Sequence, residues 1–126
     1  MIYLASPYTH ADPDVQTARF FAACEAAAQI AAAGFAVFSP IAHSVPLCTY
    51  GAPDSADYWQ GLDDAIMRGA CDCVVVLCLD GWTLSRGVSH EVALAYGLGL
   101  PVVHADPEDV VDAAGRAVWI ARAQLN

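Results

Sequence analysis

The stretch 72–79 constrains the fold of this chain more than any other. Its residues, DCVVVLCL, are apolar on both sides of an extended backbone, which is typical of a strand buried on both faces of a parallel sheet. Two shorter apolar runs precede it, MIYLA at 1–5 and FAVF at 35–38, and another follows at 101–104. These four runs predict strands of one sheet.

Helical patterns separate the predicted strands. An alanine-rich helix is predicted over 15–33, with Asp12 or Asp14 as its N-cap and Gly34 just past its end. Three more helices are predicted, over 58–69, 87–97 and 107–124, the last with Pro107 in its first turn.

Residues 41–57 show no helical or strand period and contain Pro46, Gly51 and Pro53. We therefore predict a long loop, and loops of that length inside a compact domain are often functional. The alternation of strands and helices around it predicts one α/β domain over 1–126. We expect a flavodoxin- or Rossmann-like parallel sheet of four or five strands with helices on both faces.

Composition excludes several classes of partner. The net charge is −9 with only five Lys and Arg residues, whereas proteins that bind nucleic-acid polymers need many cations against phosphate. The alanine-rich run 20–38 is interrupted by Glu25, Gln29 and Gly34, so we interpret it as a buried helix and a strand and expect no membrane partner. A small phosphate remains possible, because backbone amides at a helix start can bind it.

The five cysteines include no C-x-x-C pair, and those of the apolar run 73–79 suit a buried position. We expect all five to be reduced thiols, and we find no charged segment followed by a cleavage pattern at the start of the chain. Both observations favour a cytoplasmic location.

In open parallel sheets, ligands bind at the carboxyl ends of the strands. That edge is predicted to carry the segments 6–10, 39–44 and 80–91, together with the start of the helix that precedes the central strand, around 58–64.

Glu91 is the most informative residue near this edge. Its helix has an inward stripe of Val88, Val92, Ala95 and residues 98–99, and Glu91 falls on the same side. A carboxylate on an inward face is costly unless it is paired or used. The plainer interpretation is a partner for the helix dipole, worth under about 1 kcal/mol.

The turn before Glu91 offers hydroxyls and free amides at a helix start. Ser85, Gly87 and Ser89 there can bind an anion, although an N-cap serine is the commoner explanation of Ser85. The segment ends in Glu91, where a serine hydrolase of the G-x-S-x-G type would have glycine.

The remaining polar candidates are ambiguous by sequence. Asp63 and Asp64 share one helix, periodicity does not choose between them, and Asp64 can instead pair with Arg68 four residues later. His10 and His43 show no metal-ligand spacing, so we expect neither metal nor cofactor.

Trp59 and Trp82 lie near the predicted edge and can stack on a base, although packing in the core or in a lid is equally ordinary.

Taken in order, these residues resemble the nucleoside 2-deoxyribosyltransferase superfamily, and most closely its nucleoside 5′-monophosphate N-glycosidase branch. The resemblance covers roughly residues 1–104. It rests on the opening IYLASP at 2–7, on Asp64 eight residues before Asp72, and on the series Ser85, Gly87, Val88, Glu91. The first loop lacks the glycines of that branch, and 41–57 has no counterpart beyond His43.

The resemblance implies a small-molecule nucleotide substrate and a reaction. Glu91 would attack C1′ of the sugar, Tyr3 would orient Glu91, and Asp64 would protonate the departing base. It also implies binding of the 5′-phosphate by Ser85 with amides near Gly87 and Ser89. The other implied substrate contacts are Ser6, Pro7, Tyr8, His43 and Trp82.

Two alternatives remain at this point. A deoxyribosyltransferase would pass the sugar to a second base, and a non-catalytic nucleotide-binding module would only bind its ligand. The resemblance also implies a homo-oligomer, because relatives complete their sites across subunit contacts.

Overall fold

The structure, a computed structural model, describes residues 1–125. Its sheet has four strands: β1 (Ile2–Ala5), β2 (Val37–Phe38), β3 (Cys73–Leu77) and β4 (Val102–Ala105). All pairings are parallel and the order is β2-β1-β3-β4. The predicted α/β class and parallel sheet are confirmed, with four strands.

Five α-helices surround the sheet: α1 (Pro13–Ala32), α2 (Pro40–Thr49), α3 (Ala56–Ala70), α4 (Arg86–Gly97) and α5 (Val110–Gln124). Short 3-10 helices cover Trp82–Leu84 and Pro107–Asp109. Pro107 therefore starts a 3-10 turn rather than α5 itself. None of the helices in the described part of the chain has the length and hydropathy needed to cross a bilayer.

The alternation of side chains along β1 and β3 divides the core into two layers. Ile2 and Leu4 face one layer with Val75, under α1 and α5. Tyr3 and Ala5 face the other, under α3 and α4. Because both faces are covered, β3 is buried at every position, as its unbroken apolar run predicts.

The predicted loop over 41–57 is wrong, because most of it is helix α2. Ser39 caps this helix: its Oγ accepts a hydrogen bond of 3.1 Å from the amide of Ala42, and Pro40 occupies the first turn. Pro46 lies inside α2 and removes one backbone donor, yet the helix continues to Thr49 and packs against α1. Tertiary packing here overrides a residue that usually breaks helices.

Smaller differences concern helix and strand ends. Asp12 is the N-cap of α1, and Gly34 follows the helix at φ +98°, as predicted. The second strand is shorter than predicted, only Val37–Phe38. Leu98, predicted to face inward, is 37 % exposed, because α4 ends at Gly97 and its inward stripe stops at Ala95.

One arginine ties together two loops at the carboxyl edge of the sheet. Arg19 of α1 donates to the carbonyl of Thr9, after β1, at 3.0 Å and to the carbonyl of Asp80, after β3, at 2.7 Å. Gly81 lies beside it with φ +82°, and a Cβ there would come within 2.8 Å of the Arg19 guanidinium. The positive φ and the contact with Arg19 both favour glycine at this position.

Gly81→Ala should thus destabilise the protein more than Gly34→Ala. Both introduce a side chain at positive φ, at a cost of about 1 kcal/mol, but Gly34 has open space around it. Only Gly81→Ala also displaces Arg19, which adds about 1 kcal/mol for a lost hydrogen bond. Urea unfolding of both variants measures the difference, and equal destabilisation would contradict the role given to Arg19.

Candidate functional site

Tyr3 and Glu91 form the centre of the site. Tyr3 lies in the middle of β1 and is fully buried, and its hydroxyl donates a hydrogen bond to Oε2 of Glu91. Glu91 is half-buried in the second turn of α4, which confirms its predicted inward position. The other carboxylate oxygen, Oε1, faces the side of the helix where Gly87 lies.

Burial controls the protonation of this pair. Loss of solvation raises the pKa of Glu91 to about 8; the Tyr3 hydrogen bond opposes that rise, and the charges of Asp63 and Asp64 add to it. Burial, together with the charge and hydrogen bond of Glu91, raises the pKa of Tyr3 far above its usual range. The Tyr3 hydroxyl therefore keeps its proton and acts as a donor.

Asp63 is the aspartate that belongs to the inward stripe of α3. It lies four residues after Trp59 and four before the buried Met67. Its Oδ1 is buried and has no hydrogen-bond partner among the described residues. Burial, with a contribution from Asp64, raises the pKa of Asp63 to about 6. A buried carboxyl oxygen without a partner is costly unless a ligand satisfies it.

Asp64 lies one residue further round α3 and is engaged differently. Its two oxygens lie 2.9 and 3.0 Å from Nε2 of His90, the residue before Glu91 on α4. The alternative pairing with Arg68 is not the one found, since Asp64 contacts His90. The two aspartates that the sequence leaves equivalent therefore differ in the structure.

The first turn of α4 brings Ser85 and Gly87 to the same place as Glu91. Ser85 is the N-cap, and its Oγ accepts a hydrogen bond of 3.2 Å from the amide of Val88; the plainer interpretation of this serine is therefore correct. A Cβ built on Gly87 would stand 3.9 Å from both the Ser85 Oγ and the Glu91 Oε1. Ser89, in the same turn, is exposed.

Gly87 has no conformational reason to be glycine. It lies within α4 and its φ is not positive, so alanine would fit the backbone and favour the helix by up to about 1 kcal/mol. The missing side chain leaves a gap between the Ser85 hydroxyl and the Glu91 carboxylate. Glycine in such a position allows another molecule to approach the helix closely.

The loop after β1 contains three of the residues that the resemblance assigns to substrate binding. Ser6 and Pro7 are buried and Tyr8 is half-buried. Ser6 is only 5 % exposed, and its hydroxyl has no hydrogen-bond partner among the described residues. It is the second buried polar group, after Asp63, whose hydrogen bonding is incomplete.

A series of aromatic rings leads outward from Tyr3. Ring centroids are 5.9 Å apart for Tyr3 and Phe38, 5.9 Å for Phe38 and His43, and 6.0 Å for His43 and Trp59. His43 is exposed on α2 and Trp59 is half-buried on α3, so helix α2 presents His43 toward the stripe that carries Asp63. Trp82 instead contacts His104, with the ring centroids 5.1 Å apart and the rings tilted against each other.

Sequence reasoning missed His90, and it did not resolve the role of Asp63. Asp63 lies four and Asp64 three residues before the buried Met67, and since both spacings fit one helix face, spacing did not separate them. No signal marked His90, because its importance comes from a contact between two helices.

Two hollows in the surface lie away from these residues. One, of about 490 Å³, is lined by Met1, Asp72 and neighbours at the amino ends of the strands. The other, of about 680 Å³, lies along α5 beside Trp119. Neither includes Glu91, and the first lies at the amino ends of the strands, away from the Glu91 site.

Fold and site together define the class: an α/β protein with a hydrogen-bonded tyrosine–glutamate pair and two aspartates at the carboxyl edge of a parallel sheet. The chain belongs to the DUF1937 family, described as a domain of unknown function, whose family model matches residues 1–106. The match contains all the site residues and leaves out α5. A search of the curated proteins finds no match.

The raised pKa of Glu91 predicts how stability depends on pH. Folding raises this pKa from 4.5 to about 8, so the folded state holds a proton that the unfolded chain has released. That stabilisation is complete below pH 4.5 and is lost as pH rises through about 8. Glu91→Gln removes the loss and should make the protein more stable than wild type above pH 8, by at most about 5 kcal/mol and by less where solvent reaches the half-buried side chain.

Thermal or urea unfolding at several pH values measures this effect. Glu25→Gln is the matched control, because Glu25 is an exposed glutamate on α1. A similar gain for both variants, or none for Glu91→Gln, would contradict the burial argument.

Proposed function

We propose that this protein hydrolyses the N-glycosidic bond of a nucleoside or deoxynucleoside 5′-monophosphate through a covalent glycosyl–Glu91 intermediate. The observation that carries the proposal is the hydrogen bond from the buried Tyr3 hydroxyl to Oε2 of Glu91. It fixes one carboxylate oxygen and leaves Oε1, on the Gly87 side, to attack a sugar carbon. A module that only binds its ligand has no need of this arrangement.

The reaction needs a nucleophile and an acid. Oε1 of Glu91 would form a bond to C1′ as the C1′–N bond breaks, and the electron pair would go to the base nitrogen. A poor leaving group also needs a proton. Water would then attack C1′ and release Glu91, with the deprotonated acid taking the proton of the water.

The geometry favours Asp63 as this acid, whereas the resemblance assigns the role to Asp64. Asp63 has a buried oxygen without a hydrogen-bond partner and lies on the inward stripe of α3, while both oxygens of Asp64 lie against His90. Trp59 lies one turn of α3 before Asp63 with the His43 ring beside it, and these two rings suit a planar leaving base.

The start of α4 supports a phosphate group on the substrate. Ser85 accepts a hydrogen bond through its oxygen, so its hydroxyl hydrogen remains able to donate. The gap at Gly87 admits a phosphate oxygen next to the helix amides, where the helix dipole favours an anion. The overall charge of −9 opposes anion binding, so these local donors have to supply the attraction.

A second copy of the chain packed against this edge of the sheet would help to exclude water from the site. We therefore retain a homo-oligomer, expected from the resemblance, as part of the proposal. Sedimentation or light scattering at several protein concentrations tests it directly.

A screen of nucleoside monophosphates for released free base tests the function. We expect release from monophosphates and at least about tenfold less from the matching nucleosides, the effect of losing roughly 1.4 kcal/mol of phosphate binding.

Glu91→Ala should abolish release while circular dichroism stays unchanged. Turnover of that variant within a few-fold of wild type would remove Glu91 from the mechanism. Sugar transfer to an added base, in place of hydrolysis, would instead identify a transferase.

The rate of base release should depend on pH with a bell-shaped profile whose limbs lie near pH 6 and pH 8. The two carboxyls titrate as a pair, with apparent pKa values set by Asp63 at about 6 and Glu91 at about 8. Below pH 6 both are protonated and no nucleophile exists; above pH 8 both are ionised and no acid exists. Between these values the pair holds one proton, mostly on Glu91 because its pKa is the higher, so the reactive arrangement, with the proton on Asp63, is the minor one.

Asp63→Asn should remove the alkaline limb, and it should regain much of its rate on a sugar phosphate with a nitrophenol leaving group, which needs no proton. Asp64→Asn is the matched control and should keep both limbs. If Asp64→Asn loses the alkaline limb and Asp63→Asn keeps it, the two aspartates have the opposite roles.

A further inference from the structure

The residues next to the two reactive carboxyls contact each other. His90 precedes Glu91 on α4, Asp64 follows Asp63 on α3, and Nε2 of His90 lies 2.9 and 3.0 Å from the two oxygens of Asp64. A single N–H shared between both oxygens fixes the direction of that carboxylate. The contact therefore joins the two helices at the level of the site.

Three carboxyl groups and one phenol crowd this region. Tyr3 comes from β1, Asp63 and Asp64 from α3, and Glu91 from α4, beside the imidazole of His90. The charge of Asp64 acts on each of the other three groups and disfavours its ionisation. A donor that binds Asp64 lowers the negative potential at Glu91.

We propose that His90 is a positioning residue, which holds Asp64 toward α4 and thereby leaves Asp63 as the carboxyl that faces Glu91. The inference deepens the proposed function and rests on it for its catalytic meaning. Arg68 does not position Asp64: it is exposed, and it forms no ion pair with Asp64.

Carboxyl titration of Glu91 by carbon-13 NMR tests the proposal without any substrate. His90→Ala should raise the titration midpoint of Glu91 by on the order of one pH unit, because it removes the donor that offsets the negative charge of Asp64. His90→Gln keeps a donor and should shift the midpoint less. Adding Asp64→Asn to His90→Ala removes the charge and should return the midpoint to the wild-type value or below.

Arg68→Ala is the matched control, since it removes an exposed cation from the same helix without touching Asp64; it should leave the midpoint near that of wild type. An unchanged midpoint in His90→Ala overturns the proposal. So does a raised midpoint that Asp64→Asn fails to reverse, since the shift would then come from a structural change.

The kinetic counterpart is a pH–rate profile on the nucleotide that the wild type hydrolyses. In His90→Ala both limbs should move to higher pH and kcat at pH 7 should fall about tenfold, while KM stays within a few-fold. Absence of hydrolysis in the wild type would refute the proposed function and leave the NMR result to decide the role of His90.

Discussion

The partly buried hydrogen bond between the Tyr3 hydroxyl and the Glu91 carboxyl is the constraint around which this site is organised. A carboxyl on the inward face of a helix needs a hydrogen-bond partner, and Tyr3, in the middle of β1, supplies one. The bond lies on the face of α4 that packs on the sheet, where Val88 and Ala95 are also buried. It also determines which oxygen of Glu91 remains available to a ligand.

The incomplete hydrogen bonding around this pair supports a ligand site. Most buried polar groups in a folded protein have partners, yet Ser6 and Asp63 each have a buried oxygen without one among the described residues. Gly87 leaves a gap beside Glu91 at some cost in helix stability. These features weaken the folded state, and a bound substrate would offset them.

Much of the fold could be predicted, and the reasons are physical. The unbroken apolar run of β3 is stable only as a strand covered on both faces. Gly34 marks the end of α1 because its φ is positive. The loop predicted over 41–57 was wrong because Pro46 is a local signal, whereas α2 depends on the Ser39 cap and on packing against α1. Glu91 could be found from its place on a periodic stripe, a property of one helix alone.

The sequence by itself determined the α/β class, the edge of the sheet that carries the polar residues, and the inward position of Glu91. These follow from periodicity, which each segment carries locally. Only the tertiary structure distinguished Asp63 from Asp64 and brought His90 into the site. Those differences arise where α3 meets α4, and a contact between two helices depends on how they pack over the sheet, which no pattern within either helix encodes.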